Sequence, residues 1–141
     1  MHLHHAAIAT TDLDASLRFW RDGIGFEELM DHSFDGDWPT LFGTTTSTLR
    51  SVFLGDPSHG SSGVVELVDF GEPLADGAST ARPAAGFFLL SCYVDLDATL
   101  VRLSELGLGG EPTIIEVHGV RMAVVADPDG VRVELIDLPP S

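Results

Sequence analysis

Apolar and polar positions follow the same course twice along this chain. Alternation over residues 3–10 predicts a strand, and helically spaced apolar residues from Leu13 to Ile24 predict a helix after it. Apolar runs typical of strands follow at 26–30, 49–54 and 64–70. The second half predicts a strand at 86–94, a helix at 96–106 and strands at 112–117, 120–126 and 131–136. The pattern therefore predicts two βαβββ modules, an α+β fold.

The likeness between the halves extends to individual letters. The tetrapeptide DLDA at 12–15 recurs at 95–98, which is 83 positions later. Repetition at a fixed spacing is typical of duplicated supersecondary units. The same shift applied to His5 leads to Phe88, so an apolar residue replaces a polar one at this equivalent position. We interpret this difference as a site that has been altered in one of the two repeats.

The segments between the predicted elements have loop composition. Gly, Asp, Ser and Thr dominate residues 31–47 and 55–63, and Asp127-Pro128-Asp129-Gly130 suits a tight turn between antiparallel strands. Pro, Gly and Ala without periodicity make 71–85 a predicted linker. We therefore predict a single domain over 1–141, with module 1 at about 1–70 and module 2 at about 86–138. Curved sheets from the two modules are expected to pack together around a ligand cleft.

Composition limits the partners of the protein. Seven Lys and Arg against 22 Asp and Glu give a formal charge of −15, which disfavours nucleic acids and anionic membrane surfaces. No apolar run approaches the roughly 20 residues that span a bilayer. Cys92 is the single cysteine, so no intrachain disulfide forms, and its apolar neighbours predict a buried, unreactive thiol. A cytoplasmic protein with a small-molecule substrate or ligand is the expectation.

His5 is the first candidate for chemistry. In an alternating strand it shares a face with Leu3, Ala7 and Ala9, and the small alanines leave room for a metal or a substrate. His2 and His4 are expected on the opposite face. The alternative is a half-buried or surface histidine near the terminus, because a metal site needs several converging ligands.

Glu66 and Glu134 are lone carboxylates inside apolar strands. Burying such a group is costly unless it is paired, protonated or bound to metal. One strand face could instead be wet, and Glu134 could pair with Arg132 on an exposed face. Because the two glutamates occupy equivalent places in the repeats, pseudo-twofold packing would bring them together. One histidine and two carboxylates suit Fe²⁺, Mn²⁺, Ni²⁺, Co²⁺ or Zn²⁺, and three ligands leave coordination positions open for substrate.

Other side chains are candidates for a substrate pocket. Trp38 and Phe42 fall in a predicted loop and are interpreted as pocket wall or lid. Arginines are scarce in this acidic chain, and any that faced the cleft could hold a substrate carboxylate. The alternative for these cations is a role as counter-ions. The pocket candidates are Phe88, Trp38, Phe42, Arg50, Arg121 and Arg132.

Two motifs resemble a known superfamily. The segment from His5-Ala6-Ala7-Ile8 through the letters DLDASLRFWRDGIGF at 12–26, with DPDG and Glu134-Leu135 near the end, is similar to vicinal oxygen chelate proteins. That superfamily includes glyoxalase I, bleomycin-resistance proteins, methylmalonyl-CoA epimerase and extradiol dioxygenases. The resemblance implies paired βαβββ modules that form a cupped, incomplete barrel around one divalent metal ion. It also implies a homodimer, in which modules can be exchanged between chains.

The resemblance places metal ligands on the first and last strands of each module. These positions correspond to His5, Glu66, the Phe88/Leu89 position and Glu134. Neither Phe88 nor Leu89 can bind a metal, so the ligand set is incomplete by comparison with the superfamily's metal enzymes.

The resemblance and the retained donors predict a metal-dependent glyoxalase-like lyase or isomerase. It would act on a small oxygenated substrate through an enolate-type intermediate, with Glu66 or Glu134 as the base. One alternative is a non-catalytic protein of the bleomycin-resistance type that binds a drug or antibiotic. A second alternative is a ring-cleaving dioxygenase.

Overall fold

The computed structural model describes residues 1–75 and 82–139. The chain divides into two units, each built around one four-stranded sheet. The first unit is Met1–Arg21 with Phe26–Ala75, and the second is Asp22–Gly25 with Asp76–Ser141, of which 82–139 are described. Both sheets are mixed, so the predicted α+β fold is confirmed. Part of the predicted linker, residues 76–81, lies outside the described residues.

The first unit has the predicted βαβββ order. Its strands are β1 (His5–Ala9), β2 (Glu27–Asp35), β3 (Thr48–Gly55) and β4 (Val64–Asp69), arranged β1-β4-β3-β2 with β1 parallel to β4. Helix α1 (Leu13–Leu17) begins where the Asp12 carboxylate accepts a hydrogen bond from the Ala15 N–H at 3.0 Å, and continues as a π-helical segment, Arg18–Ile24. A short helix α2 (Trp38–Phe42) lies between β2 and β3.

The second unit repeats this order. Its elements are β5 (Leu90–Val94), α3 (Leu96–Glu105), β6 (Ile115–Val117), β7 (Val120–Ala126) and β8 (Arg132–Asp137). The strand order is β5-β8-β7-β6, again with the first strand parallel to the last. Asp95 caps α3 as Asp12 caps α1, because its carboxylate accepts from the Ala98 N–H at 3.0 Å. The repeated DLDA motif is thus a repeated helix start.

Several predicted bounds were wrong. β2 continues to Asp35, where a loop was predicted from residue 31, because an edge strand needs only backbone pairing with β3 and tolerates polar side chains. The same predicted loop contains α2, which Asp37 caps at its start and the left-handed Gly43 ends. β1 begins at His5 rather than residue 3, and β5 at Leu90 rather than residue 86.

Sheet register defines which residues of the two units are counterparts. Ala7 lies opposite Glu66 in the parallel β1/β4 pair, and Ser91 lies opposite Glu134 in the β5/β8 pair. The first strands, β1 and β5, therefore correspond with an offset of 84, whereas the helix caps correspond with an offset of 83. Leu89, not Phe88, is the counterpart of His5. The difference arises because the first unit has one more residue between its first strand and its helix cap.

Each sheet packs one face against its own helix. In the first unit Ile8, Val52, Leu54, Val65 and Leu67 are at most 7% exposed on that face. In the second unit the corresponding residues are Ala123, Val125, Val133 and Leu135, all at most 4% exposed. Since side chains alternate along a strand, Glu66 and Glu134 belong to the opposite faces.

Two expectations from composition bear on this fold. Burial raises the pKa of the Cys92 thiol to about 11, so the thiol is protonated and poorly reactive at neutral pH. Among residues 1–75 and 82–139, no helix is long and apolar enough to cross a membrane.

Candidate active site

Glu66 and His5 face each other across the parallel pair of β4 and β1. His5 Nε2 lies 3.6 Å from Glu66 Oε1, and the two side chains are 35% and 17% exposed. The hydroxyl of Ser51, on the other neighbouring strand, donates to Glu66 Oε2 at 2.6 Å. The small Ala7 directly opposite Glu66 leaves this part of the face exposed. The structure therefore brings two of the three predicted donors together and holds the carboxylate by its second oxygen.

His4 also belongs to this group, contrary to prediction. Its Nδ1 lies 2.8 Å from Nδ1 of His5, and the rings of both histidines contact Phe53 at centroid distances of 5.9 and 5.2 Å. The prediction of opposite faces was wrong because β1 begins only at His5, so strand alternation does not govern residue 4. Ser51 and Phe53 are further residues of this group that were not predicted from the sequence. Both residues occupy alternate positions of the predicted strand 49–54, so they share one face of the sheet. This alternation was the signal that could have grouped them.

The spacing of the His5 and Glu66 donors suits a divalent metal. Two ligands at about 2.1 Å from a tetrahedral ion lie roughly 3.4 Å apart, close to the 3.6 Å observed. Within residues 1–75 and 82–139, however, no three His, Cys, Asp or Glu side chains group closely enough to hold an ion. His5 and Glu66 therefore fit as part of a metal site that needs a further donor.

Glu134 has different neighbours in the second unit. The hydroxyl of Ser91, on β5, donates to Glu134 Oε1 at 2.9 Å. Leu89 takes the place of His5, and Arg132 takes the place of Val64. The guanidinium carbon of Arg132 lies 4.8 Å from the centre of the Phe88 ring. Glu134 thus keeps a serine hydrogen bond, while the histidine beside Glu66 has no counterpart here.

Arg50 and Arg121 lie on the helix-covered faces. Arg50 makes two hydrogen bonds to Asp31, at 2.9 and 2.7 Å. Arg121 pairs with Asp97 of α3 and, at 3.4 Å, with Asp137 of β8. Hydrogen bonds from these arginines hold the pKa values of the Asp31 and Asp97 carboxyls below their usual range. These contacts support the counter-ion interpretation of both arginines.

Trp38 and Phe42 form a separate aromatic cluster. Their rings stack at 5.7 Å, and Phe42 contacts Phe70 at 6.2 Å. The Trp38 indole N–H donates to the backbone oxygen of Phe34 at 3.0 Å, which ties α2 to β2. Phe70 follows the end of β4, four residues beyond Glu66, or roughly 13 Å along an extended strand. His5 pairs with Val64 at the start of β4, whereas Phe70 lies just past the end of that strand. The aromatic cluster is therefore at the other end of β4 from His5.

Comparison with known proteins gives the family. Residues 2–135 match the family model described as the Glyoxalase/Bleomycin resistance protein/Dioxygenase superfamily. The chain belongs to this superfamily. It is 40% identical over 150 residues to the lactoylglutathione lyase-like protein terB of Aspergillus terreus, and the match covers 97% of this chain and 75% of that protein.

Solved structures of this superfamily share the fold. A glyoxalase family protein from Bacillus cereus matches with a TM-score of 0.77 at 20% identity, covering 97% of this chain and 93% of that one. The trypanothione-dependent glyoxalase I of Leishmania major matches with a TM-score of 0.65 at 24% identity, covering 97% and 86%. The superfamily comprises enzymes as well as resistance proteins, so membership leaves both classes of function open.

Proposed function

We propose that this protein is a metal-dependent lyase or isomerase of the glyoxalase type that acts on a small oxygenated substrate. The observation that carries the proposal is the His5–Glu66 pair, in which an imidazole and a carboxylate lie 3.6 Å apart and Ser51 fixes the carboxylate. The similarity to terB, which is named as lactoylglutathione lyase-like, supports the same class.

Glu66 is suited to move a proton. The Ser51 hydroxyl donates to Oε2, so the carboxylate is held in one orientation and Oε1 points toward His5. A carboxylate positioned in this way can remove a proton from carbon beside a carbonyl group and return it to a neighbouring atom. A bound divalent ion would supply Lewis-acid stabilisation of the negative charge that develops on the substrate oxygens. His5 and Glu66 would hold this ion, and Glu66 would serve as the base only while it is not itself bound to the ion.

We propose Glu134 as the third donor or as a second base. It is the counterpart of Glu66 in the sheet register, and a serine hydroxyl also orients it. A homodimer, as the superfamily resemblance implies, and a cytoplasmic location complete the proposal.

Metal content measured on untagged protein tests this function. Inductively coupled plasma mass spectrometry is expected to find about one transition metal ion per chain, and His5→Ala, Glu66→Gln and Glu134→Gln each to lower that content. His59→Ala is the matched control, because His59 is 75% exposed beside Asp56 and outside the site. Absence of metal after reconstitution with Fe²⁺, Mn²⁺, Ni²⁺ and Zn²⁺, or equal losses in His5→Ala and His59→Ala, would overturn the proposal.

A second candidate is a small-molecule binding protein of the bleomycin-resistance type. The observation in its favour is a cavity of about 660 Å³ in the second unit, walled in part by Phe87 and Phe88. Stoichiometric binding of a drug without metal or turnover would select this function. Among the described residues no observation favours the ring-cleaving dioxygenase. Leu89 stands at the position equivalent to His5, where the resemblance places a metal ligand, and it has no imidazole to bind one.

A further inference from the structure

His4 lies directly against the candidate ligand His5 in the first unit. The Nδ1 atoms of the two histidines are 2.8 Å apart, and their rings meet edge to face with centroids 5.1 Å apart. Between neutral imidazoles, such a contact is a hydrogen bond in which one Nδ1 carries the proton and the other accepts it. The proposed function assigns His4 no role, although it contacts the residue proposed to bind the metal.

The 2.8 Å contact does not suit two ligands of one ion. Two nitrogens that far apart, each about 2.1 Å from a metal, would subtend roughly 84° at the ion instead of the tetrahedral angle of about 109°. Within residues 1–75 and 82–139, moreover, His4, His5 and Glu66 do not form a group of three donors that could hold an ion. The geometry therefore places His4 behind His5, as a partner of its ring and not as a third ligand.

The two ring nitrogens of His5 have contacts of different strength. Nε2 lies 3.6 Å from Glu66 Oε1, beyond the roughly 3.2 Å that an N–H···O hydrogen bond spans, whereas Nδ1 is within hydrogen-bond distance of His4. The hydrogen bond at one ring nitrogen determines which nitrogen carries the proton. If His4 were the donor, the proton of His5 would lie on Nε2, where Glu66 is too far away to accept it. The contacts therefore favour a proton on Nδ1 of His5 and an unprotonated Nε2.

Phe53 packs against both imidazoles. Its ring centroid lies 5.9 Å from that of His4 and 5.2 Å from that of His5. Phe53 is also the register partner of Glu66 on the neighbouring strand, so its ring and the carboxylate lie side by side on one face. An aromatic surface against both imidazoles limits their rotation and favours the contact between the two Nδ1 atoms.

The second unit keeps none of these three ring-bearing residues. The offset of 84 between the first strands, and the pairing of each glutamate with its neighbouring strand, define the equivalent positions. These positions hold Phe88, Leu89 and Val124. The three residues thus differ as a set from the second unit, whereas the glutamate and its serine hydrogen bond are common to both. This difference associates His4 with His5 and not with the sheet that both units share.

We propose that His4 is a positioning residue: its Nδ1 accepts a hydrogen bond from the Nδ1–H of His5 and leaves Nε2 of His5 unprotonated beside Glu66. The inference deepens the proposed function and rests on it only in naming His5 as a metal ligand. The tautomer of His5 is itself a property of the chain without metal. A histidine that donates its second nitrogen in this way is fixed in orientation and is a stronger ligand.

Nitrogen-15 NMR of the full chain after chelator treatment tests the tautomer. Long-range proton–nitrogen correlations distinguish protonated from unprotonated ring nitrogens, in mildly alkaline buffer where an ordinary imidazole is neutral. Wild-type His5 is expected to carry its proton on Nδ1. His4→Phe introduces the residue type found at the equivalent position of the second unit and should move the proton to Nε2. His4→Asn should keep it on Nδ1, because the amide oxygen can accept in place of the imidazole.

Zn²⁺ affinity, measured by competition with a chromophoric chelator, tests the consequence for metal binding. His4→Phe should weaken Zn²⁺ binding roughly tenfold, as is usual when a histidine ligand loses its hydrogen-bond partner. His4→Asn should stay within about threefold of the wild type, since a hydrogen-bond acceptor remains. His2→Phe is the matched control because it removes another exposed histidine of the same terminus, and it should leave the affinity unchanged.

A proton on Nε2 of His5 in the metal-free wild type would refute the proposal. Measurable but equal Zn²⁺ affinity in His4→Phe and His2→Phe would also refute it, as would equal losses of affinity in His4→Phe and His4→Asn. The NMR measurement separates this inference from the proposed function. If no variant takes up metal, yet His5 has the Nδ1–H tautomer and loses it in His4→Phe, the metal enzyme is rejected and the hydrogen bond proposed for His4 is supported.

Discussion

Glu66 and Glu134 occupy the same register position in two sheets of the same order, yet their neighbours differ. Glu66 has His5 on one adjacent strand and the buried Ser51 on the other. Glu134 has the exposed Ser91 on β5, and Arg132 two positions before it on its own strand. The first unit thus carries a candidate metal ligand, His5, on its first strand, whereas the second unit carries a cation, Arg132, on its last strand. Duplication has kept the carboxylate and changed what surrounds it.

The helix-covered faces show the opposite behaviour. Leu67 and Leu135 follow the two glutamates and are both fully buried. Both units also place an arginine in an ion pair on this face, although the partners differ: Arg50 pairs with Asp31 of β2 and Arg121 with Asp97 of α3. Packing of a helix on a sheet imposes the same demands on both units. The exposed faces are under no such common demand, so differences between the units there point to function.

Truncating the two buried leucines is expected to have the largest effect. Leu67→Ala and Leu135→Ala each remove a side chain with no exposed surface, and each should cost about 2–5 kcal/mol through lost burial and a residual cavity. Urea unfolding of both variants measures these losses, with the exposed Leu41→Ala as control, since Leu41 is 66% exposed. A loss below 1 kcal/mol in only one variant would show that the two faces are not packed alike.

Removing the serine hydroxyls should separate the two glutamates. Ser51→Ala takes a hydrogen bond from a carboxylate that is 17% exposed and should cost about 1–3 kcal/mol, since a poorly hydrated charge loses its donor. Ser91→Ala removes an exposed hydrogen bond that water can replace, so its cost should stay below about 0.5 kcal/mol. The same unfolding titrations compare them. Equal losses would mean that Glu66 and Glu134 have equivalent environments.

The ion pairs of Arg50 and Arg121 predict that the stability of the protein depends on pH in the same way at both sites. Because Arg50 and Arg121 hold the pKa values of Asp31 and Asp97 below 3.8, the stabilisation is complete above that pH and is lost as pH falls through the lowered values. Arg50→Met and Arg121→Met should therefore lower the urea midpoint at pH 7 and approach the wild type toward pH 3. Arg18→Met serves as the control for net charge. A deficit that persists unchanged into acid would assign these arginines a packing role instead.

Much of this comparison was predictable from sequence. Periodicity predicts both βαβββ modules, and Asp12 and Asp95 mark both helix starts because a capping carboxylate acts locally. The repeated DLDA motif, however, leads to the wrong counterpart of His5. Its offset of 83 leads to Phe88, and that offset does not hold between β1 and β5. Only the ladder between β5 and β8, which joins residues some 43 positions apart, shows that Leu89 is the counterpart.

The faces of the arginines and a further repeat were not predictable from the same patterns. Arg121 and Arg132 are both polar positions in predicted strands, and which face a helix covers depends on tertiary packing.

Asp56-Pro57 and Asp127-Pro128 start the final loop of each unit, and both aspartates accept a hydrogen bond from the N–H two residues on, at 2.8 and 2.9 Å. Because the loops of the two units differ in length, these pairs are 127 − 56 = 71 positions apart and are not aligned by the shift of 83 that aligns the helix caps.

The connections between the middle strands differ most and give the smallest expected effect. Residues 36–47, including α2, join β2 to β3, whereas His118 and Gly119 alone join β6 to β7. His118 has φ 51° and Gly119 φ 78°, which is typical of a two-residue type I′ turn, where Asn is favoured at the first position. His118→Asn should therefore stabilise the protein by about 0.5 kcal/mol, and His118→Val should destabilise it by more, because β-branched residues avoid positive φ.

Thermal unfolding of the two His118 variants checks this difference, with Gly119→Ala as a control that should also destabilise. Loss of stability in His118→Asn would show that the imidazole makes a contribution that backbone conformation does not explain. The expected gain would mean that the short connection of the second unit is set by turn geometry alone.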